Sequence, residues 1–203
     1  MKTIRGFLAL DLNLQTARNL ADHQRTIAER CRLAGARVSW VPPQNLHVTV
    51  AFLGQITEPL VSALPSVLAP VAAGTPPFDM ACAGLGVFPD EGNPRVIWAG
   101  VSSPGGELEQ LYSRIVGALG ETGFNLDGKP FRSHVTIGRV RAVGDGGLAD
   151  CLAVDAPEGF GETLVAELAC YRSDLDPKGA DYQLLWRLPL HGRGTAPERT
   201  TKE

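Results

Sequence analysis

The 203-residue chain lacks most of the features that assign a protein quickly. No run approaches the ~20 consecutive apolar residues of a membrane span. Near the N-terminus Arg5 and Asp11 interrupt the apolar residues, where a secretory signal needs an unbroken core. That stretch therefore reads as a first strand, and the expected compartment is the cytoplasm. Cysteine is scarce: Cys31, Cys82, Cys151 and Cys170 form no Cys-x-x-Cys unit, and none stands at a zinc-finger spacing from a histidine. Cys31, Cys82 and Cys170 sit in apolar periodic segments and read as small buried hydrophobes, whereas spacing does not place Cys151. A basic excess is missing as well. The net charge of −3 excludes a protein that coats nucleic-acid backbones in bulk. It leaves room for an enzyme that grips one terminal phosphate, and Lys129, Arg132, Arg139 and Arg141 supply a local positive segment. No Gly-x-Ser-x-Gly elbow is present, which disfavours a serine hydrolase.

Of only four histidines, two stand in matching contexts. Asn45 to Gly54 reads Asn-Leu-His-Val-Thr-Val-Ala-Phe-Leu-Gly, an apolar strand carrying His47 and Thr49 on one face. Phe131 to Gly138 repeats the pattern with His134 and Thr136, 87 residues further on (134 − 47). One His-x-Thr pair is more often a hydrogen-bonded core pair than a site. Two copies in matching apolar strands reverse that weighting. His23, on a helix, reads as half-exposed, and His191 as a tail residue.

The remaining pattern alternates strands and helices without regular βαβ spacing. The sequence predicts a strand over Thr3–Asp11 and an amphipathic helix capped by Asn13 and stopped at Gly35. A short strand follows over Arg37–Val41, then an extended turn at Pro42-Pro43, then the first motif strand, closed by Gly54. A second helix starts after Thr57 and breaks or kinks at Pro65. Pro76–Phe88 and Arg95–Val101 form a hairpin around the turn Asp90–Pro94, and Ser103-Pro104 opens a third helix. Asn125–Pro130 is a polar loop, and Val143–Gly147 is glycine-rich and mobile. Gly161–Arg172 is one strand, Asp174–Gly179 a turn, and Ala180–Leu190 the last strand. Residues 191–203 read as a disordered tail, leaving 1–190 as a single domain. The class is α+β with largely antiparallel sheets, in two related halves.

Two histidines facing one pocket can hold opposite protonation states, one taking a proton from a nucleophile and one giving a proton to a leaving group. Attack and departure lie on opposite sides of phosphorus, so strands from two halves suit phosphodiester cleavage. The threonine hydroxyls can donate to non-bridging phosphate oxygens. A metal site is the competing reading, but neither motif strand carries an Asp or Glu, so no third ligand is obviously placed. Phe7 and Phe52 could stack a base, with core packing the expected role for both.

The paired motifs, with Ser133 before the second and Arg139 after it, resemble the two HxTx signatures of the 2H phosphoesterase superfamily. Within it the chain is similar to the bacterial and archaeal RNA 2′,3′-cyclic phosphodiesterases, also called 2′-5′ RNA ligases. Arg5–Leu10, the Gly84–Pro89 and Asn93–Trp98 hairpin, and Leu184–Leu190 extend the resemblance along most of the chain. It implies a bilobal α+β fold, two mainly antiparallel sheets flanked by helices, with a pseudo-twofold axis and a central cleft. It implies hydrolysis of RNA 2′,3′-cyclic phosphate ends to 2′-phosphomonoesters, with His47 as proton donor, His134 as proton acceptor, and Thr49, Thr136 and Arg139 binding phosphate. Arg139 lies five residues after His134, on the opposite strand face unless the strand bends at Gly138. No cofactor and no metal are implied. The expected partner is RNA with a cyclic phosphate terminus, tRNA halves among the candidates, acted on by a monomer away from membranes. Ligation through a 2′-5′ linkage, action on small cyclic nucleotides, and non-catalytic binding of RNA ends remain the alternatives.

Overall fold

Thr3–Asp11 (β1) leads into the helix Leu14–Leu33 (α1), where the Asn13 side chain accepts from the Thr16 N–H at 2.8 Å. Such a cap contributes ~1 kcal/mol. Next come Arg37–Trp40 (β2), one 3₁₀ turn at Pro43–Asn45, and His47–Thr57 (β3). Glu58–Ala73 (α2) precedes the hairpin of Phe78–Phe88 (β4) and Val96–Ser102 (β5). Glu107–Glu121 (α3) is followed by His134–Ala142 (β6), the short Ala149–Leu152 (α4), Gly161–Val165 (β7), Glu167–Asp176 (β8) and Gly179–Pro189 (β9). This computed structural model describes residues 3–89, 93–124, 130–143, 148–152, 158–176 and 179–192. The tail beyond 192, the 144–147 segment and most of the 125–130 and 90–94 loops lie outside the described residues.

The strands form one curled antiparallel sheet in the order β7-β4-β5-β6-β3-β1-β8-β9, with β2 also on β6. Its middle is its weakest seam. β3 and β6 meet at one residue pair, Val48 opposite Val135, so the sheet is two leaves joined there, β7-β4-β5-β6 with β2, and β3-β1-β8-β9. The seam is short because β2 takes over the edge of β6, from Gly138 opposite Trp40 to Ala142 opposite Arg37. The stiff Pro42-Pro43 connection carries the chain from one stretch of that edge to the other. α1 packs on β2 and β7, while α2 and α3 pack on β3, with α2 also against β9. Leu8, Leu10, Leu20, Ile27, Leu64, Leu68, Ile97, Leu108, Leu111 and Ile115 fill the core between helices and sheet.

Several elements depart from the sequence expectation. β3 continues through Gly54, which adopts φ +67° opposite Gly6, and ends at Thr57. α2 runs unbroken past both Pro65 and Pro70, and Thr57 makes no side-chain cap to it. Tertiary packing of Leu64 and Leu68 outweighs the two lost hydrogen bonds. α3 starts three residues after Ser103-Pro104, at the left-handed Gly106, although Ser103 Oγ still accepts from the Leu108 N–H at 3.0 Å. The expected strand Gly161–Arg172 is two strands on opposite leaves, β7 beside β4 and β8 beside β1. Cys151 is buried against Cys31, and all four cysteines are buried thiols outside any disulfide. His191 and Gly192 are tied back, their N–H groups donating to the Ala72 and Thr75 carbonyls.

Candidate active site

His47 opens β3 and His134 opens β6, each straight after a non-strand connection. The local geometry is the same in both. His47 Nδ1 donates to the Asn45 carbonyl at 2.8 Å, and His134 Nδ1 to the Arg132 carbonyl at 2.7 Å. A carbonyl only accepts, so each Nδ1 carries a proton and each Nε2 is left to exchange one. His47 Nε2 lies 3.0 Å from Thr49 Oγ1.

The seam brings the two motifs together. Extending the Val48–Val135 register one step either way sets His47 against Thr136 and Thr49 against His134. The valines point into the core and are fully buried. The histidines and threonines therefore share the other face, where all four line a cleft of about 1030 Å³.

Arg139 lines the same cleft, though simple alternation would point it away. β5 pairs Ile97 with Gly138 and Trp98 with Thr136, which leaves Ile137 as an extra residue on β6. Ile137 and Gly138 are both buried, the alternation is reset, and Arg139 returns to the cleft. The Ile137 carbonyl is held by the Val41 N–H at 3.0 Å and by Gln24 Nε2 at 2.7 Å. Gly138 serves a different need from the expected bend: a Cβ there would stand 2.8 Å from Val38 Cγ1 on β2.

β3 repeats the device. Against β1, Thr49 pairs with Ala9 and Ala51 with Leu8, so Val50 is the extra residue. Val50 and Ala51 are both buried, and Phe52 emerges on the cleft at 64% exposure. Phe7 is buried as expected, 3% exposed, but on the cleft side against the His47 ring, whereas Phe52 is not buried. Phe52 follows His47 at the same interval as Arg139 follows His134 (52 − 47 = 139 − 134).

The ring of His47 stacks on Phe7 at 4.9 Å and meets Tyr182 edge-on at 5.3 Å. His134 meets Phe88 edge-on at 5.1 Å. Burial lowers the pKa of His47; the Asn45 carbonyl and Asp11 raise it, and Arg139 and His134 lower it. Burial also lowers that of His134, against the Arg132 carbonyl, with Arg139 lowering it further. Arg5, Arg132, Arg139 and Arg141 line the cleft, and no described lining residue is acidic. A protein of net charge −3 thus keeps a positive cleft, although Lys129 lies outside the described residues. Among the described residues no three His, Cys, Asp or Glu side chains gather as metal ligands would. Arg5 and Tyr182 were not singled out from sequence. They come from β1 and β9, which no local spacing links to the motifs. The signal for Phe52 was present, in its interval from His47.

A model of the LigT-like phosphoesterases matches residues 11–98. An RNA 2′,3′-cyclic phosphodiesterase of Archaeoglobus fulgidus is 37% identical over 146 residues, covering 72% of this chain and 80% of that protein. The chain belongs to the LigT-like phosphoesterase family. A Thermotoga maritima member named as the same enzyme is 31% identical and covers 93% of this chain and 97% of its own. The crystal structure of the Thermus thermophilus protein TT0787 superposes with a TM-score of 0.76 at 30% identity, over 94% of this chain and all of that one. E. coli LigT complexed with 3′-AMP shares the fold at a TM-score of 0.71 and 24% identity, over 93% of this chain and 99% of its own. No helix among the described residues is long and apolar enough to cross a membrane.

Proposed function

We propose that this protein hydrolyses RNA 2′,3′-cyclic phosphate ends to 2′-phosphomonoesters, using two histidines and no metal. The observation that carries the reading is the pairing of two imidazoles in one positive cleft, each with Nδ1 tied to a carbonyl and Nε2 left to exchange. His134 Nε2 takes a proton from water as its oxygen attacks phosphorus. The bond from phosphorus to the 3′ oxygen breaks, and His47 Nε2 gives that oxygen a proton. The products are a 2′-phosphate and a free 3′ hydroxyl; solvent resets both rings. Thr49, Thr136 and Arg139 hold the non-bridging oxygens where charge accumulates.

Before substrate binds, burial lowers both pKa values, so both rings are mostly neutral near neutrality. The bound phosphodiester anion opposes that, since a nearby negative charge favours the imidazolium. Protonation of one ring then disfavours the other, which suits a pair needing one of each form.

The test uses an oligonucleotide ending in a 2′,3′-cyclic phosphate. His47→Ala and His134→Ala should each cut turnover by ~10²–10⁴, and EDTA should leave the wild-type rate unchanged. Full activity in either variant would refute the reading.

A further inference from the structure

The two histidines are held alike, so the fold must distinguish donor from acceptor some other way. The difference stands across the neighbouring strand. β1 sets Asp11 directly opposite His47, while β5 sets Gly100 opposite His134. Directly opposed residues of an antiparallel pair share a face, with Cβ atoms ~4.5–5.5 Å apart. One imidazole therefore has a carboxylate beside it, and the other has none at the matching place.

Asp11 is fixed in position. Tyr171 donates its hydroxyl to the Asp11 carboxylate, both oxygens lying 2.9 Å away, and Arg187 Nη1 lies 2.7 Å from Oδ2. The Tyr171 ring stacks on Phe7 at 5.5 Å, and Phe7 stacks on His47. Burial and the adjoining carboxylate push the Tyr171 hydroxyl up to about 12, so it stays a neutral donor. His47 Nδ1 already serves Asn45, so Asp11 acts on the ring through its charge.

We propose that Asp11 is a positioning residue that makes His47 the proton donor of the pair and so sets the direction of the reaction, acid on β3 and base on β6. This rests on the two-histidine reading above. The charges that reach His47 are Asp11 from β1, which favours the imidazolium, and Arg139 and His134 from β6, which oppose it. β8 and β9 present only the phenols of Tyr171 and Tyr182, with Arg187 behind Asp11. Among the described residues the charge that acts at His134 is Arg139, with no carboxylate to oppose it. Arg187 is the counterweight: its cation offsets part of the Asp11 field. Asp11 and Arg187 are both partly exposed, so solvent screens the effect.

Two variants should move His47 in opposite directions. Imidazole NMR titration of the ligand-free protein should show its pKa fall in Asp11→Asn and rise in Arg187→Gln, with His134 little changed. A merely structural role would move both variants the same way, or neither, and would overturn the proposal. In kinetics with the cyclic-phosphate oligonucleotide, Asp11→Asn should shift the alkaline limb of kcat to lower pH by the same amount and leave KM nearly unchanged. An unshifted limb would remove the role in directing the reaction. Asp11→Glu should restore most of both readouts. The titration needs no turnover, so failure of the two-histidine reading would show separately, as activity surviving in His47→Ala.

Discussion

Around His47 the opposing strand offers Asp11, and the fifth residue on is Phe52; around His134 the same two places hold Gly100 and Arg139. The backbone setting beneath those differences is shared. Each histidine follows a connection, ties Nδ1 to the carbonyl two residues back, and precedes a threonine on its own face. Each strand then carries an extra residue, Val50 or Ile137, which returns a longer side chain to the cleft, and β3 has a second at Leu53. The shared part is backbone geometry. The unshared part is charge and ring. A pseudo-symmetric scaffold can thus hold two rings alike while their surroundings assign them different work.

The sharpest way to break the comparison is to remove one ring at a time. His47→Ala and His134→Ala should each lower kcat by ~10²–10⁴, the usual span for a general acid or base. The double variant should lose little more than the worse single one, because groups acting as a unit are not additive. A near-wild-type rate from either single variant would mean that one half suffices. Next come the groups proposed to hold phosphate. Thr49→Ala, Thr136→Ala and Arg139→Gln should each lower kcat/KM by ~10²–10³. Phe52→Ala, the counterpart of Arg139, should instead raise KM and leave kcat in place. Equal kcat losses for Phe52 and Arg139 would erase the distinction between the halves.

A smaller effect tests how Arg139 is aimed. Gln24→Leu strips a donor from the buried Ile137 carbonyl and should cost about 1–3 kcal/mol in denaturant unfolding. Activity should fall with the Arg139 signature, a loss in kcat/KM that includes kcat. The smallest concerns pH. Both histidines have folded pKa values below 6.5, so the unfolded chain binds more protons in the acid range. Their contribution to stability is complete above 6.5 and is lost as pH falls through their folded values. A His47→Asn, His134→Asn protein should therefore lose less stability between pH 6.5 and 5 than the wild type.

The motif face, the helices and the antiparallel class were legible because each rests on local spacing: two-residue alternation in the strands and the Leu108, Leu111, Ile115, Leu119 stripe in α3. What escaped was set by partners distant in sequence. A bulge at Ile137 depends on Gln24 and Val41, so the exit of Arg139 could not be read from β6 alone. The split of β7 from β8 follows from pairing with β4 and β1, and Pro65 is tolerated in α2 because the core needs Leu64 and Leu68. Asp11 could be seen only as the end of a first strand. Its meeting with His47 is a matter of register.

One measurement bears most directly on the pairing of the two halves. RNA ending in a 2′,3′-cyclic phosphate, incubated with the protein and EDTA in ¹⁸O-water, can be read by mass spectrometry for the position and label of the product phosphate. Metal-free attack of water with departure of the 3′ oxygen requires a 2′-monoester carrying one ¹⁸O and a free 3′ hydroxyl. A 3′-monoester would place the acid at the other oxygen, and loss of turnover in EDTA would replace the histidine pair with a metal.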